Sequence, residues 1–224
     1  MKRLYFLFTF MLLSAGVFTT YAQEEIFDNA SNRAHFGVRL GLDVSCPGKI
    51  NYNDIPLAGD AFNNGVGFQL IGIYNIPLWK NLYFEPGLGI YYNTQRYNLE
   101  WLGLILSDTS SASVRRFGFR VPFVAGYRFD FEPFSVSVFT GPELNVGLVG
   151  RNSITTAGKS HSENAYANDG DFHRAGLGWK FGAGFRYDRY VFEVSGTVGM
   201  TNMIKGVDGK YHDNNVAFTV GYNF

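Results

Sequence analysis

The chain has 224 residues, and its 19 Lys and Arg residues balance its 19 Asp and Glu residues, which argues against a nucleic-acid-binding protein because such proteins carry a basic excess. Its single cysteine, Cys46, excludes an internal disulfide framework and any metal site built from several cysteines. The 27 glycines and the aromatic fraction of 17% favour a thin, strand-rich protein over a helical enzyme.

The first 22 residues have the pattern of a secretory signal peptide. Lys2 and Arg3 precede an apolar stretch over residues 4–18, and small residues follow at the positions expected for cleavage after Ala22. The remaining sequence has no apolar run long enough for a transmembrane helix. We therefore predict an exported protein with a signal peptide at 1–22, a short periplasmic segment at 23–34 and one domain at 35–224.

The domain divides into about eight segments in which apolar and polar residues alternate, which is the period of a β-strand. In the first segment, 35–45, five apolar residues alternate with glycine, charged and polar residues. The other segments are 65–76, 82–93, 116–128, 134–148, 178–188, 191–200 and 215–224. The 65–76 segment is the least regular, because Ile71 and Ile73 share a face with Gln69.

Two features predict that the apolar faces of these strands meet lipid. The face that carries the charges is also rich in glycine, as a narrow lumen requires, whereas the opposite face carries bulky Phe, Leu, Val and Tyr. The connections alternate between long (46–64, 94–115, 149–176 and 201–214) and short, as in outer-membrane proteins. We therefore predict an all-β fold: an eight-stranded antiparallel transmembrane up-and-down β-barrel of the Gram-negative outer membrane.

Three stretches of this chain resemble the PorT-like outer-membrane β-barrel family of Bacteroidota. They are HFGVRLGLDVS at 35–45, FRVPFVAGYRF at 119–129 with Pro122 in mid-strand, and GWKFGAGFRYDRYVFEVSGTVGMTNM at 178–203. The resemblance implies an eight-stranded barrel, usually without an assigned activity. It also implies an alternative role as an accessory component of a type IX protein secretion system, which the namesake of the family serves.

The inward faces carry nearly balanced charges. These lumen candidates are Arg39, Asp43, Glu85, Arg120, Arg128, Glu143, Lys180, Arg186 and Glu193. We expect them to form ion pairs across a lumen that is barely wide enough for side chains. The alternative interpretation is the lining of a conducting pore.

The 149–176 connection holds the side chains that could act as catalytic groups or metal ligands. Ser160, His161, Ser162 and Glu163 suggest a lipid-modifying hydrolase, and Asp169, Asp171 and His173 suggest a divalent cation site. A polar loop gives no rigid frame for catalysis, so we expect an exposed loop without a catalytic, metal or cofactor site. In the 94–115 connection, we expect Tyr97 and the apolar residues at 101–106 to pack against a neighbouring loop rather than to contact a partner.

The sequence thus predicts a non-enzymatic outer-membrane barrel with a plugged lumen and a structural or surface-interaction role. The alternatives are the secretion component and a lipid-modifying enzyme. We expect outer-membrane lipid and the barrel-assembly machinery as partners, other envelope proteins as possible partners, and no nucleic acid or cofactor. The assembly machinery would read the terminal strand with Tyr222 and Phe224.

Overall fold

The computed structural model describes residues 33–46, 62–100, 108–168, 170–205 and 211–224, together with the backbone of three short strands at 51–52, 55–56 and 209–210. The predicted signal peptide at 1–22 lies outside the described residues, as does most of the predicted segment at 23–34. Within the described ranges, no helix has the length and hydropathy needed to cross a membrane.

The described residues form twelve strands, eight of which close into a ring. The strands are β1 (His35–Ser45), β2 (Asn51–Tyr52), β3 (Ile55–Pro56), β4 (Gly65–Trp79), β5 (Leu82–Arg96), β6 (Thr109–Phe131), β7 (Phe134–Thr156), β8 (Lys159–Asn164), β9 (Ala175–Tyr187), β10 (Tyr190–Gly199), β11 (Gly209–Lys210) and β12 (Asn215–Asn223). The ring runs β1, β4, β5, β6, β7, β9, β10, β12 and back to β1, with every pairing antiparallel. This topology confirms the predicted all-β, eight-stranded antiparallel barrel.

The apolar face of each barrel strand points outward and the polar face points into the lumen. In β1, Phe36 and Leu42 are 65% and 63% exposed, whereas Arg39 and Asp43 are 4% and 0% exposed. A protein in water would place these faces the other way round, because exposed apolar area is costly there. The inverted arrangement is the one that a membrane barrel requires.

The two ends of the barrel differ. Three short turns, at 80–81, 132–133 and 188–189, join strands at one end, where β1 also begins and β12 ends. We call this the short-turn end and the opposite one the long-loop end. Exposed aromatic side chains ring the short-turn end, as in the interfacial girdles of membrane barrels. They include Trp79, Tyr127, Phe129, Phe131, Phe134, Tyr187 and Tyr190.

At the long-loop end, the structure corrects the predicted limits of three strands. β5 continues to Arg96, β6 begins at Thr109 and β7 ends at Thr156, and β8 pairs with the last six residues of β7. Much of the predicted 149–176 loop therefore joins the beginning of β6 in a three-stranded extension of the barrel wall. Its segments are rich in Ser and Thr, so they lack the alternation of apolar and polar residues on which the prediction of strands depends.

Replacing Phe218 by arginine tests the facing of the strands. Phe218 lies near the middle of β12, and its side chain is 55% exposed on the outer wall. A lipid-facing arginine near the midplane costs about 2–4 kcal/mol. We expect Phe218→Arg to fold and insert poorly and the control Phe218→Leu to match the wild type, measured as the heat-modifiable folded fraction on gels. Equal folding of both variants would contradict the assigned facing.

Candidate functional site

The middle of the lumen is held by a network of buried charges around Arg120. Arg120 Nη1 donates to Asp43 Oδ2 at 2.8 Å, and Arg120 Nε lies 3.4 Å from Glu143 Oε1. Lys180 Nζ donates to the other oxygen of Glu143 at 3.1 Å. These side chains come from β1, β6, β7 and β9, so the network crosses the barrel from wall to wall.

A second ion pair lies nearer the short-turn end. Arg39 Nε donates to Glu193 Oε1 at 2.9 Å, and Arg39 Nη1 donates to Asn223 Oδ1 at 2.9 Å. Glu85 accepts a hydrogen bond from the side-chain amide of Asn75 at 2.9 Å. The Arg39 side chain therefore links β1, the first strand of the ring in chain order, to β10 and β12, its last two strands.

The remaining two candidates lie at the rim of the short-turn end. Arg186 Nη2 is 3.7 Å from Asp130, which is itself exposed, so this is a weak ion pair. The Arg128 guanidinium lies 5.3 Å from the centre of the Tyr83 ring, within cation–π range. The structure thus joins six of the nine lumen candidates to one another, and it places Glu85, Arg128 and Arg186 beside other side chains.

Apolar side chains fill the part of the lumen that the charges leave. Tyr83, Val124 and Phe139 pack together, and Ile71 and Ile73 are also buried. A cavity of about 30 Å³ remains between this cluster and the charges, which is room for one or two water molecules. The sequence signal for this apolar filling is that its members lie on the polar faces of their strands: the isoleucines share a face with Gln69, Tyr83 with Glu85, and Phe139 with Glu143.

Glycines make room for the aromatic rings of the filling. A Cβ atom added at Gly126 would overlap the Tyr83 ring, and one added at Gly182 would overlap the Phe139 ring. The glycine-rich inward faces therefore accommodate rings as well as long charged side chains.

An apolar cap covers the long-loop end of the lumen. Its buried members are Phe62, Val114, Ala165, Tyr166, Phe172, Met203 and Tyr211. The Phe62 ring lies 4.6 Å from Tyr97 and 4.9 Å from Tyr211, measured between ring centroids. Tyr97 thus packs against other connections, as expected, while residues 101–106 lie outside the described residues. Most of the cap comes from connections without periodicity, so it could not be predicted from the sequence.

An ion pair between a buried arginine and a half-buried aspartate lies beneath the cap. Arg116 Nη1 is 2.8 Å from Asp213 Oδ2, and Arg116 Nη2 donates to Gln95 Oε1 at 2.8 Å. Burial raises the pKa of the Tyr211 phenol above its ordinary value, so its hydroxyl stays protonated and donates to the same Gln95 oxygen at 3.4 Å. This pairing could not be predicted from the sequence, because Asp213 lies outside every periodic segment.

The four residues of the possible hydrolase site do not bring a serine nucleophile and a histidine base together. His161 and Glu163 lie on one face of β8, where they form a 3.0 Å contact with side chains 80% and 73% exposed. Ser160 and Ser162 lie on the other face and bond to the hydroxyls of Thr155 and Ser153. A serine nucleophile needs its base within hydrogen-bonding reach, and the strand separates these two groups.

The possible cation site is likewise not assembled by the residues that the structure describes. Asp171 accepts a hydrogen bond of 2.6 Å from the Asn152 side chain, and Asp169 lies outside the described residues. Across the described ranges, no group of three or more His, Cys, Asp and Glu side chains has a geometry that could hold a metal ion.

An eight-stranded ring with an apolar outer wall and a charged, filled lumen defines an outer-membrane β-barrel. The family model "Outer membrane protein beta-barrel domain" matches residues 21–205, and the chain belongs to this family. It is therefore an outer-membrane protein.

Solved barrels with low sequence identity are similar to this chain. Neisserial surface protein A is 14% identical, with a TM-score of 0.45 over 86% of this chain and 99% of that one. OprG from Pseudomonas aeruginosa is 11% identical, with a TM-score of 0.47 over 86% and 97%. Ail of Yersinia pestis is 14% identical, with a TM-score of 0.40 over 86% and 99%. No curated protein matches the chain in sequence.

Glu143→Gln tests the central charge network. Glu143 is fully buried and contacts both Arg120 and Lys180, so the neutral amide leaves two buried cations short of a carboxylate. We expect a loss of about 3–5 kcal/mol in the free energy of unfolding, measured by urea titration of the folded barrel.

The control for this prediction is Glu163→Gln, an exposed glutamate on β8 that should change stability by less than about 0.5 kcal/mol. The double variant Glu143→Gln/Lys180→Met should be less destabilised than the sum of its single variants, because their charges are coupled. Additive effects would show that the pair does not interact.

Proposed function

We propose that this protein is a non-enzymatic outer-membrane barrel whose lumen is a solid core and whose long-loop end is presented at the cell surface. A cleaved signal peptide would export it, and the assembly machinery would insert it by reading the terminal strand with Tyr222 and Phe224. The role is structural or one of surface interaction, with outer-membrane lipid as a partner and other envelope proteins as candidate partners. Transport through the lumen is not part of this proposal.

The main support for a closed, non-conducting lumen is that side chains fill the cross-section of the barrel. The Arg120 network spans the lumen at mid-height, the apolar cluster around Phe139 occupies the adjoining space, and the cap lies above both. A pore needs a continuous column of water, whereas the cavity between these groups measures about 30 Å³. Opening a path would require the separation of buried ion pairs, each of which costs several kcal/mol.

Among the described residues, His161 has no hydrogen bond to Ser160 or Ser162, which supports the non-enzymatic role. The Arg39–Glu193 pair, nearer the short-turn end, is buried among other lumen side chains and has the surroundings of a structural contact. The PorT-like relationship and the accessory role in type IX secretion stay predictions, since the matching family model is that of the general barrel domain.

Electrical recording tests the closed lumen. We expect the purified protein in planar lipid bilayers to give no stable conductance steps at neutral pH, because buried ion pairs and the cap block the lumen. A larger outer-membrane porin inserted in the same bilayers is the control for detection. Stable, ion-selective steps from the folded barrel would contradict the proposal.

Cysteine labelling on intact cells tests the orientation. In a Cys46→Ser background, Ser162→Cys places a thiol on β8 at the long-loop end, and Arg189→Cys places one at the short-turn end, both at exposed positions. We expect a membrane-impermeant maleimide to label Ser162→Cys on intact cells and to label Arg189→Cys only after the outer membrane is opened. The reverse pattern would place the short turns outside.

A further inference from the structure

Three arginines lie side by side on the outer wall at the long-loop end. Arg115 of β6 is directly opposite Arg151 of β7, and Arg96 of β5 is opposite Ser113, one diagonal step from Arg115. Directly opposed residues have Cβ atoms about 4.5–5.5 Å apart, and diagonal neighbours are about 7–8 Å apart. The three side chains therefore form one cluster, which we call the arginine cluster.

No carboxylate of the described chain neutralises this cluster. All three arginines are exposed, and among the described residues none has an Asp or Glu oxygen within ion-pair distance. Like charges placed directly opposite each other destabilise a sheet. Arg39, Arg116 and Arg120 in the lumen are each paired with a carboxylate. The outer cluster differs from them and is therefore a site that an external anion would stabilise.

The cluster lies where the apolar belt ends. On the same outward face, the next residues toward the barrel are Phe117 and Val149, which are opposite each other. The outward face of β6 carries no charged residue from Phe117 to Phe129, about twelve residues or roughly 40 Å along the strand. With the usual strand tilt this is roughly 30 Å along the membrane normal, the thickness of the hydrocarbon core. The guanidinium groups are therefore at the level of the lipid head groups.

The surface around the cluster offers further hydrogen-bond donors. The hydroxyl side chains on this face of the extension are Ser111, Ser113, Ser153, Thr155, Ser160 and Ser162. A guanidinium binds phosphate through two parallel N–H···O bonds, and neighbouring hydroxyls donate to the remaining oxygens. The chemistry of the patch is thus that of a phosphate site next to an apolar wall that would pack against acyl chains.

We propose that Arg96, Arg115 and Arg151 bind the phosphate groups of a phosphorylated lipid in the leaflet at the long-loop end, with its acyl chains against the Phe117 and Val149 side of the wall. The proposal rests on the membrane placement in the proposed function but not on which end faces the cell exterior. The lipid would act as an integral part of the barrel surface and anchor the three-stranded extension.

Binding of diphosphorylated lipid A tests this site. The full-length folded barrel in a phosphate-free maltoside detergent is titrated with diphosphorylated lipid A, and bound lipid is counted by native mass spectrometry. We expect the double variant Arg115→Gln/Arg151→Gln to bind at least about tenfold more weakly than the wild type, because it loses two charge-assisted contacts. The matched control Lys80→Gln/Arg189→Gln removes two exposed cations at the short-turn end and should bind as the wild type does.

A second measurement shows that the double variant is folded. Without lipid, its unfolding temperature should equal or exceed that of the wild type, because the repulsion between opposed arginines is removed. With lipid A, the unfolding temperature of the wild type should rise more than that of the double variant.

Three outcomes would overturn the proposal. They are equal binding by the wild type and the double variant, an equal loss in the control variant, and displacement of lipid A by inorganic phosphate at similar concentration, which would indicate recognition of the free ion alone. The titration is done in detergent and does not depend on orientation or conductance, so its failure is distinguishable from failure of the proposed function.

Discussion

The structure depends on one constraint: a chain in lipid must satisfy its backbone hydrogen bonds internally, and a closed ring of strands is how a β-protein does so. Closure of eight strands leaves a lumen barely wider than the side chains that fill it. Polar residues that alternate with lipid-facing ones must all enter that space. Their charges meet little water there, so they must satisfy one another, and the Arg120–Glu143–Lys180 contacts are the result.

The ends of the barrel meet this constraint in different ways. At the short-turn end, tight turns and a ring of exposed aromatic side chains bound the apolar belt. At the long-loop end, the connections fold back over the lumen, and Phe62, Phe172 and Tyr211 form part of a cap above the buried Arg116. β6, β7 and β8 continue outward as a sheet whose surface is hydroxyl-rich and basic. The chain therefore combines a closed interior with a basic, hydroxyl-rich surface that is able to bind anions.

The number of barrel strands and the direction of their faces could be predicted from the sequence, because lipid and lumen impose opposite polarity on alternate residues. β1 shows this best, since its predicted limits and its observed limits are the same. The partners of the lumen charges could not be predicted. Arg120 meets Asp43 across 77 residues of sequence, and that meeting depends on the tilt and stagger of the ring. The cap and β8 were also missed, because Ser, Thr and loop aromatics carry no alternating signal.

The exchange rate of the Arg120 Nε proton with water, measured by NMR on the barrel in lipid nanodiscs, is the most direct test of the closed lumen. Arg120 is 3% exposed and bonded at Nε to Asn145, whereas Arg189 is exposed at a turn and serves as the internal reference. A solid lumen predicts that the Arg120 proton exchanges far more slowly than that of Arg189 at neutral pH. Equal exchange rates would mean that water fills the lumen, and would contradict the account.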